Sequence, residues 1–225
     1  MIVITLASRK GGTGKTTLAI NLAAIADRGG QQACVVDMDP QNSAAVWRRL
    51  RDQDKTLRRL ATGSSRPGGL PRLLAELRRR KMHWVFIDTP PNLTATVDVA
   101  IKHADLVLIP TRPDALNLDA ITSTIIMARQ HKKRYVVVIN EAPPLRGDVA
   151  APLVQETRRQ TFEAAARELY AARIWKHQIT HRNAIPYALN AGHALNDRAA
   201  YQAANAEFEA LWKALRFHLR QEPRS

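Results

Sequence analysis

A glycine-rich segment between a strand pattern and a helix pattern constrains this sequence more than any other feature. The apolar run Ile2–Ala7 predicts a strand, and apolar residues at helical spacing predict a helix over Lys15–Asp27. Between them, residues 9–17 read R-K-G-G-T-G-K-T-T. Glycines let successive backbone N–H groups turn toward one point, and the helix N-terminus behind them adds positive potential there. The segment therefore predicts a loop that binds an anion such as phosphate.

Strand and helix patterns alternate along the rest of the chain. The expected strands are Ala33–Asp37, Trp84–Ile87, Leu106–Ile109 and Tyr135–Ile139, with weaker ones at Thr56–Leu60 and Arg173–Trp175. The expected helices are Asn42–Arg51 (capped by Asn42 or Ser43), Pro71–Arg80, Ala95–Lys102, Ala115–Gln130, Ala151–Leu169 and two near the C-terminus. Continuous apolar strands between amphipathic helices predict an α/β fold with a doubly wound, mostly parallel sheet. We expect one domain over residues 1–225, with ligands beyond the carboxyl ends of the strands.

The charge of the chain is strongly basic and unevenly spread. The formal net charge is +14, and residues 48–81 hold twelve Lys and Arg against three Asp and Glu. Such an excess favours a polyanionic partner, nucleic acid before an anionic membrane, although solvated helix faces explain many single residues. The one cysteine, Cys34, lies in a strand pattern and is interpreted as a buried hydrophobic residue. Without a signal-peptide pattern or a membrane-length apolar run, we expect a cytoplasmic protein with no stable membrane insertion.

The loop departs from the ordinary phosphate-loop pattern in one informative way. That pattern, G-x-x-x-x-G-K-[ST], wants glycine at position 9, where the chain has Arg9. The variant K-G-G-x-G-K-T-T does match, over residues 10–17. This motif resembles the deviant Walker A of the ParA/MinD family of ATPases.

Two further segments strengthen the resemblance, in order and in spacing. Asp37–Gln41 reads D-M-D-P-Q, like the family's D-x-D-P-Q, and residues 85–91 read V-F-I-D-T-P-P, like its Walker B. The resemblance is best in residues 1–45 and 82–115 and thin in 46–81 and 141–180. It is closest to the small ParA class that lacks an N-terminal helix-turn-helix, because the first strand begins at residue 2.

The resemblance implies an ATPase that uses ATP and Mg²⁺. The implied nucleotide-binding residues are Gly11, Gly12, Thr13, Gly14, Lys15, Thr16 and Thr17 of the loop, with Asn140 at the adenine. A buried strand-end asparagine that bonds a loop is the alternative for Asn140. Lys15 would neutralise the β- and γ-phosphates, Thr16 would ligate Mg²⁺, and Asp88 would hold the ion through water. Asp39 would orient the attacking water, with Asp37 as the alternative or as support to the metal shell.

The resemblance also implies partners and a nucleoid-associated location. Lys10, the signature lysine, would reach the phosphates of a second copy in an ATP-bound homodimer. Non-specific double-stranded DNA would contact Arg182 of the I-x-x-R segment 179–182, and less strongly the basic residues Lys176, Arg158, Arg159 and Arg198. A ParB-like adaptor would stimulate slow hydrolysis while the protein segregates or positions a cargo such as a plasmid. The alternative function is a MinD-like positioning ATPase on a membrane surface, with the last amphipathic helix either packed on the core or touching lipid.

Overall fold

The computed structural model describes residues 1–92, 94–113, 118–144, 160–161, 164–165 and 173–221. Seven strands form one sheet in the order β3-β2-β4-β1-β5-β6-β7, and every pairing is parallel. The strands are β1 (Ile2–Leu6), β2 (Ala33–Asp37), β3 (Ala61–Ser64), β4 (Trp84–Asp88), β5 (Leu106–Thr111), β6 (Arg134–Ala142) and β7 (Ile174–Thr180). The order reverses at β1, which confirms the predicted doubly wound α/β fold.

Helices cover both faces of this sheet. They are α1 (Lys15–Arg28), α2 (Ser43–Gln53), α3 (Leu70–Arg79), α4 (Ala95–Lys102), α5 (Leu118–Gln130), α6 (Ala184–Asn190) and α7 (Gln202–Gln221). On one face α1, α2, α6 and α7 pack on alternate strand residues such as Ile4 and Phe86. On the other face α3, α4 and α5 pack on the intervening residues, such as Val3 and Ile109. Because strand side chains alternate between faces, a strand with apolar residues at every position is buried on both.

The weak strand predicted at Thr56–Leu60 is wrong. Thr56 donates both its backbone N–H and its hydroxyl to Asp54 Oδ1, at 2.9 and 2.6 Å, and the Leu57 N–H bonds to the Asp54 carbonyl. These bonds fold the segment into a turn, and the edge strand β3 begins only at Ala61. The turn-forming tendency of Asp outweighs the β-propensity of the residues that follow it.

The cap expected at the start of α2 is also different. Asn42 occupies the cap position with φ 52° but makes no side-chain cap, because its amide donates to the Pro40 carbonyl at 2.9 Å. Asp37 supplies the acceptor instead, since its Oδ2 takes the Ala44 N–H at 2.9 Å. The cap therefore comes from the end of β2. The helix predicted at Ala151–Leu169 lies mostly outside the described residues.

Candidate functional site

The loop between β1 and α1 presents an uncapped helix N-terminus. Gly12 and Gly14 have φ of 69° and 85°, a left-handed conformation that glycine adopts without strain. Gly14 is the cap residue of α1 and offers no side chain to its first-turn N–H groups, and that turn contains no acidic residue. No described residue accepts a hydrogen bond from the backbone N–H groups of residues 11–17. This arrangement leaves the N–H groups for an external anion.

The carbonyl groups of the loop, in contrast, are held by neighbouring side chains. Asn140 at the end of β6 donates from Nδ2 to the Thr13 carbonyl at 2.7 Å. Arg112, directly after β5, donates from Nη2 to the Gly12 carbonyl at 3.1 Å, and it also pairs with Glu141. A Cβ on Gly14 would lie 2.2 Å from Asn140 Nδ2, so the loop fits closely against β6. These contacts fix the loop conformation before any ligand arrives.

One lysine of the loop is buried among the acidic groups of the site. Lys15 is 7% exposed, and its Nζ lies 3.4 Å from the carbonyl oxygen of Lys10. Burial lowers the pKa of Lys15, whereas the carboxylates of Asp88 and Asp39 act in the opposite direction. A cation that lacks water is a strong partner for phosphate oxygens, which replace the lost hydration.

Strand register brings two aspartates to the same edge of the sheet. Asp88, the last residue of β4, is level with Asp37 on β2 and Leu6 on β1. Thr16 donates its hydroxyl to Asp88 Oδ2 at 2.5 Å, whereas Asp88 Oδ1 is buried and has no partner. Burial raises the pKa of Asp88 to about 7, with Asp37 and Asp39 adding to the rise and the Thr16 hydrogen bond and Lys15 opposing it.

The Thr16–Asp88 pair fits the predicted magnesium site. A hydroxyl beside a carboxylate with an unsatisfied oxygen is the oxygen donor set that Mg²⁺ prefers, and a cation would relieve the burial of Asp88. Among the described residues, no three His, Cys, Asp or Glu side chains cluster closely enough to hold a metal by themselves. Nucleotide phosphates would therefore have to complete the shell, which is how Mg²⁺ usually binds in such sites.

Asp37 and Asp39 have different surroundings. Both carboxylate oxygens of Asp37 accept backbone N–H groups, from Asp39 and Ala44 at 2.9 Å each. Asp39 is half-buried, and its Oδ1 accepts the Gln41 N–H at 2.9 Å. Asp37 therefore shapes the segment between β2 and α2, and its role in the metal shell stays a prediction. Asp39 is close enough to act electrostatically on Lys15 and Asp88. The catalytic assignment of Asp39 stays a prediction.

Comparison with known proteins identifies the family. Residues 4–192 match the family described as "CobQ/CobB/MinD/ParA nucleotide binding domain". The chain belongs to this family. The ParA/MinD resemblance drawn from the three motifs is thereby confirmed.

Relatives in the ParA/MinD family have names from partition and positioning systems. The chain is 35% identical over 125 residues to Maintenance of carboxysome distribution protein A of Gloeobacter kilaueensis, covering 55% of each chain. It is 30% identical over 148 residues to the chromosome-partitioning ATPase Soj of Thermus thermophilus, covering 54% of this chain and 59% of Soj. The matches thus span somewhat more than half the length of these two relatives.

Solved structures agree on the fold. The apo McdA structure from Cyanothece has a TM-score of 0.74 at 20% identity, covering 96% of this chain and 99% of that one. The MinD cell division protein of Aquifex aeolicus has a TM-score of 0.70 at 19% identity, covering 94% and 97% of the two chains. At these identities the likeness establishes the ParA/MinD fold and nothing finer. In the described part of the chain, no helix combines the length and the apolar character needed to cross a membrane.

Of the predicted DNA-contacting residues, Lys176 and Arg182 lie on or directly after the same strand, whereas Arg198 lies elsewhere, beside Asp54. Lys176 is exposed on β7, and Arg182 follows that strand. Arg182 pairs with Glu207 of α7 at 3.0 Å, and Arg198 pairs with Asp54 at 3.2 Å. Arg158 and Arg159 lie outside the described residues. Arg182 thus ties β7 to α7, in addition to any role toward DNA.

Sequence reasoning missed Arg112 and Glu141. Arg112 follows β5, and Glu141 lies at the carboxyl end of β6. A polar residue at the end of a buried parallel strand was the pattern that identified Asp37 and Asp88, and the same pattern could have identified these two residues. Glu141 also has φ 52°, unusual for a residue other than glycine, at the same edge. Asn140 was identified, and the structure shows the alternative contact to the loop; its adenine contact stays a prediction.

Proposed function

We propose that this chain is an ATP-dependent dimer switch that binds DNA non-specifically and segregates or positions a cargo. In this proposal the chain hydrolyses ATP slowly to ADP and phosphate, and a ParB-like adaptor accelerates the step. Membership of the ParA/MinD family and the partition and positioning roles named for its relatives support this assignment. The uncapped, conformationally fixed loop supports ATP as the ligand.

The exposure of the Lys10 side chain at the rim of the loop is the observation that carries the proposal. Lys15 already supplies a buried cation from the same chain, whereas Lys10 is exposed at the start of the loop. The Lys10 ammonium pairs with no carboxylate among the described residues. A second cation at the rim of a phosphate site can serve the site of a facing copy, as an arginine finger does in trans. ATP would then hold two subunits together, and its hydrolysis would release them.

The remaining groups are suited to hydrolysis by positioning and charge neutralisation. Loop N–H groups and Lys15 would bind the phosphate oxygens, and Asp39 would accept a hydrogen bond from the attacking water. Mg²⁺, when bound at Thr16 and Asp88, neutralises charge on the phosphates. Water would attack the γ-phosphorus as the bond to the ADP oxygen breaks, giving phosphate and ADP.

Packing of the last helix favours DNA over a membrane surface as the site of action. Four apolar residues of α7 are buried in the core next to β7, whereas Phe217 of the same helix is exposed. The buried four are Phe208, Leu211, Trp212 and Leu215. Glu207 of the same helix accepts the Thr180 N–H at 2.7 Å and pairs with Arg182. Membrane binding in the MinD-like manner would require these side chains to leave the core.

A binding experiment with fluorescent double-stranded DNA of arbitrary sequence tests the proposal. We expect binding with ATP and Mg²⁺, much weaker binding with ADP, and no ATP-dependent binding in the Lys15→Ala variant. Affinity should fall steeply with salt and be independent of sequence, because phosphate contacts carry no base readout. ATP-dependent flotation with anionic vesicles, without any DNA binding, would contradict the proposal and favour the MinD-like alternative.

A further inference from the structure

An excess of unpaired positive charge surrounds one edge of the sheet. The three acidic residues of segment 48–81 are all paired: Asp52 with Arg48, Asp54 with Arg198, and Glu76 with both Arg79 and Arg80. Arg51 and Arg58 pair with Asp197 and Asp27 from outside the segment. Lys55 donates to the Asp52 carbonyl. The exposed cations of this segment whose side chains have neither a hydrogen bond nor an ion pair with a described residue are Arg49, Arg59, Arg66, Arg72, Arg78 and Lys81.

These six residues belong to the segment that runs from α2 through the edge strand β3 to the end of α3, which Lys81 follows, and we call them the β3-edge surface. Helix α2, which carries Arg49, packs on one face of the sheet, and α3, which carries Arg72 and Arg78, packs on the other. Arg59 precedes β3 and Arg66 follows it. The segment that carries these residues therefore passes around the edge of the sheet from one helix to the other. Helix α3 alone, with ten residues, gives it a length of about 15 Å.

The chemistry of this surface fits a phosphate backbone better than a protein. Protein interfaces are centred on aromatic and other apolar anchors with few charges. The exposed large apolar side chains of the described chain are Val46, Ile126, Tyr187 and Phe217, and none belongs to segment 48–81. Five of the six cations are arginines, whose planar donor groups match phosphate oxygens. Surfaces that contact nucleic-acid backbones have this composition.

The surface is separate from Arg182 and Lys176, although Arg198, which pairs with Asp54, lies on the same side as segment 48–81. Arg182 and Lys176 belong to or follow β7, and the sheet places β3 and β7 at opposite edges. Six strand spacings of about 4.8 Å separate the two edges by about 29 Å. We propose that the β3-edge surface is a second DNA-backbone-binding surface, so that one subunit presents two opposite edges to DNA. This inference rests on the proposed function.

Matched charge removal tests the inference. The test variant Arg59→Gln/Arg66→Gln/Arg72→Gln and the control variant Lys102→Gln/Lys132→Gln/Lys133→Gln each remove three positive charges from a net +14. The control residues end α4 or follow α5, away from β3. Binding of double-stranded DNA would be measured with ATP and Mg²⁺ at several salt concentrations. Each lost phosphate contact makes the negative slope of log K against log salt less steep by about 0.9. The slope of the test variant should therefore be less steep than that of the parent by about 2.7.

The outcomes separate the inference from the proposed function. We expect the parent and the control variant to have similar slopes, and the test variant to bind at least about tenfold more weakly at 0.1 M salt. The variant Arg59→Lys/Arg66→Lys/Arg72→Lys keeps the three charges and should bind nearly as the parent does, and an unchanged urea midpoint of the glutamine variant should exclude misfolding. If the parent binds DNA and the test variant matches the control, the inference is wrong and an acidic protein becomes the candidate partner. If the parent binds no DNA, both the inference and the proposed function are wrong.

Discussion

The Gly14→Ala substitution tests how the loop is fixed. Gly14 has φ 85°, and a left-handed conformation costs an L-residue about 1–2 kcal/mol. The new Cβ would also lie 2.2 Å from Asn140 Nδ2, so Asn140 would have to move and release its hydrogen bond to Thr13. A buried group left without its partner costs about 1–3 kcal/mol. Together these terms predict a loss of about 2–5 kcal/mol in the free energy of unfolding.

A double-mutant cycle with Asn140→Ala separates the two terms. Asn140→Ala removes the same hydrogen bond and should cost about 1–3 kcal/mol by itself. Because the bond can be lost only once, the double variant should be about as stable as Gly14→Ala alone. The effects should therefore fall short of additivity by about 1–3 kcal/mol.

Urea unfolding followed by tryptophan fluorescence measures all four free energies of unfolding, since the chain contains four tryptophans. The reasoning would be refuted if Gly14→Ala cost less than about 0.5 kcal/mol, the range of a neutral surface change. Strict additivity of the two substitutions would also refute it, because it would mean that Gly14 and Asn140 do not compete for the same space.

Three further predictions concern catalysis, DNA and the cysteine. Asp39→Ala should bind ATP but release no phosphate, and gel filtration with ATP should show a persistent dimer; normal phosphate release would exclude Asp39 from water positioning. Arg182→Ala should lower the salt slope of DNA binding by about 0.9 and leave the ATP dimer intact. Loss of the dimer as well would make the Arg182–Glu207 pair, 3.0 Å long, a purely structural contact. Burial raises the pKa of Cys34 to about 12, so iodoacetamide should label it only after unfolding; rapid labelling of the native protein would contradict its burial.

Local patterns predicted most of the fold because they act over a few residues. The predicted bounds of Ala33–Asp37 and Ala95–Lys102 match β2 and α4, where apolar runs and turn residues coincide. The strand predicted at Thr56–Leu60 was wrong because the Asp54 side chain accepts a hydrogen bond from the Thr56 N–H and stabilises a turn. The cap predicted for α2 was wrong because Asp37, at the end of β2, accepts the hydrogen bond from the Ala44 N–H.

Contacts between distant segments were beyond the reach of the sequence. The loop motif identified Lys15 and Thr16, and the family motifs identified Asp88, because each motif is continuous. The contact of Arg112 with Gly12 joins residues 100 positions apart, and the Arg198–Asp54 pair joins residues 144 apart. No periodicity or spacing encodes such pairs. The same limit explains why the unpaired arginines of segment 48–81 could be recognised only after every carboxylate near them had been assigned.

Sedimentation of the purified chain with a non-hydrolysable ATP analogue and Mg²⁺ tests the central claim most directly. Lys10 is exposed and makes no ion pair with the described residues, so we expect it to complete the site of a second copy. The parent should sediment as a dimer with the analogue and as a monomer with ADP. The Lys10→Ala variant should bind the analogue and remain a monomer. A parent that stays monomeric with the analogue at high protein concentration, or a Lys10→Ala variant that dimerises like the parent, would contradict the account.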